Sequence, residues 1–277
     1  MHVRRTIGLA VLSSIGLVGL PALAQDAAPA QPEAQEEKKD LPKASDVFDR
    51  HIEALGGLDA IKAIDSRRLS GRIKIFAPGN ETPSVTGILR LAAKAPDKIV
   101  QEIIIPGQST QKRVFDGKAG WLVVDDGEPT PLTGEDLERF TVSSRFYAEA
   151  DYETHFKSIE TVDVQDTPQQ GRVVMVRVDH HSGRAEAYLF SEDTGLLVAV
   201  VGQRQTPQGQ AIQFQRTYEN YTEFNGMKFS MLIRELAGGQ IIELEFSDVE
   251  NNVADFPEIE RPANILDADI SGFQKSE

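Results

Sequence analysis

The chain has 277 residues, no cysteine and a formal net charge of −14, or −16 once Arg4 and Arg5 near its start are removed. Acidity of that size repels phosphate backbones and argues against nucleic acid as a partner. With no thiol to form a disulfide or carry a lipid at the cleavage point, the fold rests on its core alone, which a chain this long can build.

Residues 1–24 read as a secretory signal peptide. Arg4 and Arg5 make the basic start, "IGLAVLSSIGLVGL" the apolar stretch, and "ALA" at 22–24 the site for cleavage after Ala24. An uncleaved anchor is the alternative, but the run is broken by Gly8, Gly16, Gly19 and Pro21 and is short for a bilayer span. No later stretch approaches the roughly 18 apolar residues of a membrane helix, so the mature product is expected to be exported, soluble and not an integral membrane protein. Residues 25–43, rich in Ala, Pro, Gln and Glu with Leu41 as their one large apolar side chain, have the composition of a disordered tether.

The folded part, 44–265, is expected to open with a helix. Ser45 is the candidate N-cap, Asp46 suits the first turn, and Val47, Phe48, Ile52 and Leu55 recur at helical spacing. Gly56 and Gly57 end it, and a second helical piece carries Leu58, Ile61 and Ile64. A glycine loop for phosphate is the sharper reading of that pair, but no GxGxxG or GK[ST] accompanies it.

From Arg67 the period changes to two. Alternating runs follow near 85–93, 98–105, 109–115, 120–125, 156–164, 172–178, 184–190, 196–204, 211–221, 226–236 and 240–249, many separated by turn signals such as "APGN", "DGKAG", "EDTG" and "FNG". About a dozen short strands in this order predict a large antiparallel sheet, mainly β with a few helices, and a sheet of that size curls. One helix interrupts it: Thr133 and Asp136 suggest a capping box, with Leu137, Phe140, Ser144 and Tyr147 on one face. "VVMVRV" (173–178) and "LLVAVV" (196–201) are apolar on both faces, so they need cover on both or a face lining an apolar hollow. Residues 266–277 read as a C-terminal tail.

Catalytic signatures are missing from this sequence: no GxSxG, no HExxH, no CxxC. "DHHSG" at 179–183 is the one cluster of ligand type, but adjacent histidines on a strand point to opposite faces, so no metal and no cofactor is assigned to His180 and His181. Glu243 and Glu245 share one face of a strand, which marks that face as wet rather than as a carboxylate pair for hydrolysis. Trp121, the single tryptophan, belongs either to the core or to the wall of a hollow.

Taken in order, "DRHIEALGGLDAIKAIDSRRLSG", "KAPDK", "VFDGKAGW", "FSEDTGLL", "NYTEFNGMKF" and "VENNVADFPEIERP" resemble the outer-membrane lipoprotein-sorting protein-like family, related to the periplasmic carrier LolA. The resemblance spans roughly 44–263. It implies a curved, incomplete antiparallel barrel of about 11–12 strands whose concave open side is covered by helices, a periplasmic location, and acyl chains or other apolar groups held between sheet and helices. The expected role is a non-catalytic carrier for a lipid or an acylated protein. The alternatives are a sensor or interaction module that contacts an envelope membrane protein, and a hydrolase. The expected hollow is lined by Phe48, Ile52, Leu55, Trp121, Leu137, Phe140 and Tyr147. The chain is longer than the dedicated carriers, and its acidic linker is foreign to their pattern.

Overall fold

The computed structural model describes residues 41–206 and 209–273; the signal peptide, its cleavage point and residues 25–40 of the tether lie outside these. Two helices come first, α1 (Ala44–Leu55) and α2 (Leu58–Lys62). Six strands follow: β1 (Ser66–Phe76), β2 (Val85–Lys94), β3 (Lys98–Ile105), β4 (Ser109–Phe115), β5 (Gly120–Val124) and β6 (Thr130–Pro131). Helices α3 (Gly134–Ser144) and α4 (Tyr152–His155) interrupt them. The chain then runs through β7 (Ser158–Thr167), β8 (Gly171–Asp179), β9 (Ala185–Ser191), β10 (Leu197–Gln205), β11 (Ala211–Phe224), β12 (Met227–Ala237) and β13 (Gln240–Asn251).

All thirteen strands form one antiparallel sheet in the order β6-β5-β4-β3-β2-β1-β13-β12-β11-β10-β9-β8-β7. It is two meanders, each made of neighbours in sequence, joined where β1 pairs with β13 from Arg67↔Asn251 to Phe76↔Ile241. The expected curved, unclosed antiparallel sheet is what the chain forms.

The helices show why the sheet must curl. Leu137 and Phe140 of α3 pack on Ile99 and Phe115 of β3 and β4, while Glu135 of the same helix accepts a hydrogen bond from the Gln205 backbone N–H at the end of β10 (3.1 Å). Six strands separate β4 from β10, roughly 34 Å in a flat sheet at about 4.8 Å per strand. A helix about 10–12 Å across bridges them only if the sheet wraps around it.

The local expectations fare unevenly. Helix α1 begins at Ala44 with Lys43 as N-cap and no side-chain cap bond, so Ser45 is not the cap; its hydroxyl meets Asp46 instead. Thr133 does cap α3 by position, but the side-chain bonds of a capping box are not made. Tyr147 is not on α3, which ends at Ser144 with Arg145 already extended (φ −66°, ψ 106°). Leu41 packs against the main core, and Ala268, Ile270 and Phe273 pack beside Phe115, so both the end of the tether and the start of the tail lie against the sheet.

The Gly56-Gly57 stop works as a helix end should. Their N–H groups donate to Glu53 (3.1 Å) and Ile52 (2.9 Å), the paired 5→2 and 6→1 bonds of a Schellman ending. Both have positive φ, 130° and 90°. A Cβ on Gly56 would stand 2.0 Å from the Gly226 carbonyl oxygen in the β11–β12 turn, so only glycine lets α1 dock there.

Candidate functional site

Alternation along each strand assigns every side chain to a face. Val174, Val176 and Val178 of β8, Phe190 of β9, Val200 of β10 and Phe214 of β11 meet the buried stripe of α1: Val47, Phe48, Ile52 and Leu55. Phe48 stacks on Tyr152 at 4.6 Å between ring centroids and meets Phe190 edge-on at 5.1 Å. This is a closed core, and burial of Phe48 to 2 % leaves it no surface for a ligand.

The same face continues across the middle of the sheet, between the α1 core and the α3 contact. Register carries it from Tyr218 to Ile233, Leu244 and Ile73, through the row of Phe246, Gly71 and Leu89, to the row of Leu69 and Leu91. Leu69, Leu91, Ile103, Ile233 and Leu244 are all half-buried. Water still reaches these five aliphatic side chains, whereas Ile73, Leu89 and Phe246 on the same face are buried, and the half-buried stretch is the candidate hollow. Tyr188 and Tyr218 border it from the α1 side. Burial pushes both phenols up, and both pack against the α1 core while remaining half-buried.

Helix α3 closes one side of this space with two different edges. Leu137, Phe140, Thr141 and Ser144, spaced by three and four, face the sheet at β3 and β4. The adjoining edge is charged. Glu138 is held by Arg184 (3.1 Å) and Ser182 (2.6 Å), and Arg139 lies 4.0 Å from Glu235. Glu235 is in turn gripped by Arg204 and by Arg216 (3.0 Å to Nε), and Glu186 by Arg184 and His180. Burial opposes ionisation of Glu186 and Glu235, but the neighbouring His180 and arginines outweigh it and hold both carboxyls below their usual range. Each of these carboxylates is committed to a cation, so none is a free base.

The expected lining residues therefore separate into three places. Phe48, Ile52 and Leu55 belong to the α1 core, which Tyr147 joins from beyond α3, its hydroxyl donating to the Ile64 carbonyl (2.9 Å). Leu137 and Phe140 form the α3 contact. Trp121 lies on the other face of the sheet. It pairs with Val114, whereas Phe115 pairs with Gly120, and a Cβ on Gly120 would touch Leu137 at 3.1 Å. Helix α3 is thus on the Phe115 side, and Trp121 packs with Val114, Ala119 and Ile265 under the C-terminal segment, 3 % exposed. The residues of the candidate hollow, Leu69, Ile233 and Leu244, were legible only as alternating strand positions.

The two other features of interest are structural. His180 and His181 diverge, one to Glu186 (3.1 Å) and the other to the Thr154 carbonyl (3.3 Å), and among the described residues no three His, Asp or Glu gather as a metal would need. Glu243 and Glu245 stand on the outer face in an ion-pair ladder with Lys74 (3.0 and 2.9 Å) and Arg234 (3.0 Å to Glu243). No helix among the described residues is long and apolar enough to cross a membrane.

Compared with known proteins, the sequence matches no family model and no curated protein. Solved structures do match. A LolA superfamily protein from Nitrosomonas europaea aligns over 78 % of this chain and 98 % of its own, with 12 % identity and a TM-score of 0.55. A DUF1329 family protein from Desulfovibrio piger aligns over 76 % and 94 % with 8 % identity and a TM-score of 0.54. An outer membrane lipoprotein-sorting protein domain from Vibrio parahaemolyticus aligns over 76 % and 97 % with 14 % identity and a TM-score of 0.50. The chain has a LolA-like fold.

Proposed function

We propose that this chain is an exported, periplasmic, non-catalytic binding protein that carries an apolar, acyl-type ligand in the hollow between the middle strands and α3. The observation that supports this most is the group of half-buried aliphatic side chains Leu69, Ile233 and Leu244 on the helix-bearing face between the α1 core and the α3 contact. The LolA-like fold and the signal sequence of residues 1–24 agree with it. In this reading α3 is the moving cover, since its charged edge exchanges ion pairs for water more readily than α1 gives up its aromatic core. Native mass spectrometry of protein taken gently from the extracytoplasmic fraction tests it: a lipid-sized adduct is expected, and an unliganded mass in every preparation speaks against it.

A second reading is an interaction module for an envelope membrane protein. It draws on β7, a ten-residue strand at one end of the sheet order on which the hydrophobic Val162 is exposed.

A further inference from the structure

Resting on that reading of the hollow, the geometry points to an amphiphile with an anionic head, a carboxylate or a phosphate monoester, whose head group is bound by Arg67 while its chain lies along Leu69, Ile233 and Leu244. Arg67 occupies the first row of β1 on the hollow's face, between Asn251 of β13 and Ala93 of β2. Its guanidinium is clamped by aromatic rings, 3.7 Å from the centroid of Phe229 and 5.1 Å from that of Phe146. Among the described residues two acceptors meet it, Asn251 Oδ1 from Nε (3.1 Å) and the Met227 sulfur (3.5 Å), against the five N–H donors that a guanidinium carries.

A half-enclosed arginine ordinarily has a carboxylate on it. Arg67 makes no ion pair among the described residues. The acid that acts on it most is Glu149, exposed on the segment after α3 and beyond ion-pair reach. Burial lowers its pKa to about 10, so it is still a full cation at neutral pH. The other arginines around the hollow differ: Arg184, Arg204 and Arg216 are each saturated by Glu186 or Glu235. Arg113 of β4, paired with Gln101 on the same face, adds a second guanidinium that has no ion pair among the described residues. A chain of net charge −14 thus keeps unpaired cations on the wall of an apolar hollow. A planar fork held rigid by two rings, with donors in reserve, is the geometry that takes two oxygens of a carboxylate or phosphate.

Three probes of one chain length decide this, each kept below its aggregation threshold: dodecanoate, dodecyl phosphate and dodecanol, measured by calorimetry on the full mature protein. Both anions are expected to bind about tenfold or more tightly than the alcohol, and Arg67→Met should bring all three to the affinity of the alcohol. Arg67→Lys, which keeps the charge and loses the fork, should retain part of the preference, and serves if the methionine variant does not fold. Equal binding of the three by the wild-type protein, or a preference that survives Arg67→Met, overturns the head-group assignment while leaving the hollow intact. If none of the three binds, it is the hollow itself that fails. A preference for one anion over the other identifies the head group.

Discussion

One face of one sheet carries two regions built from the same kind of residues. Over β8 to β11 the inward valines, Phe190 and Phe214 are packed under α1, and Val176, Val178 and Phe190 are buried to 1 % or less. Over β12, β13, β1 and β2 the inward Leu69, Leu91, Ile233 and Leu244 keep water contact, while Ile73 and Leu89 between them are buried. The strands do not differ in pattern. They differ in whether a helix lies over them, and that is decided by Gly56, which lets the end of α1 seat on the β11–β12 turn, and by α3, which crosses the space from β4 to β10. Cover, rather than the type of side chain, separates the closed core from the candidate binding surface.

The contrast is most simply broken by deletion on each side. Phe48→Ala, which empties a closed core, should cost about 3–5 kcal/mol, roughly 10 °C or more of Tm, by thermal melting. Leu69→Ala removes a similar hydrophobe from an open wall and should cost about 1 kcal/mol or less, because no sealed cavity is left. Equal losses would mean that the hollow is packed core.

Next in size comes the hinge of that cover. Gly56→Ala forces a side chain against the Gly226 carbonyl at a positive φ and should lose about 3 kcal/mol. Gly57→Val, whose Cβ meets nothing closer than the Glu53 carboxylate at 3.7 Å, pays for backbone strain alone, about 1–2 kcal/mol. Urea unfolding of the two variants gives the order directly.

Acid sharpens the comparison more gently. His51 and His155 have lowered pKa values, chiefly from burial, with Arg145 helping to bring His155 to about 4. The unfolded chain therefore takes up protons that the folded one refuses below about 6.5, and stability falls as pH drops from there toward 4. Glu186 and Glu235, depressed in the fold, add stability that is complete above the ordinary carboxylate value of 4.5 and is lost as pH falls through their folded values. Melting from pH 8 to 3 should show a plateau above about 6.5 and a decline below it; a rising Tm on acidification would contradict the assignment. The smallest effect is expected at Trp121: on the far face, its emission should stay unchanged when the hollow fills.

Much of the fold was legible in the sequence, because period-two runs and turn residues are local signals. Strand β6 was not, being two residues held to Trp121 and Leu122 with a proline at its end. The end of α3 was missed because "SSRFYAEADY" contains no glycine or proline, and Arg145 turns outward on contacts to the His155 and Phe273 carbonyls. The site was the least legible part. Alternation places Leu69 and Val176 equally on an inner face, and only the joining of β1 to β13, more than 160 residues apart in sequence, shows which of them a helix covers. Trp121 illustrates the same limit, since the segment that buries it, around Ile265, lies far away in the chain.

The central claim, that the uncovered middle of the face holds the ligand, meets its most direct test in Ile233→Asp, titrated with a fluorescent single-chain fatty-acyl probe alongside the wild-type protein. The account predicts saturable binding to wild type, a loss of affinity of about tenfold or more in the variant, and an unchanged β-sheet circular dichroism spectrum. Equal affinity in the two proteins, or a wild-type protein that does not bind the probe, would contradict it.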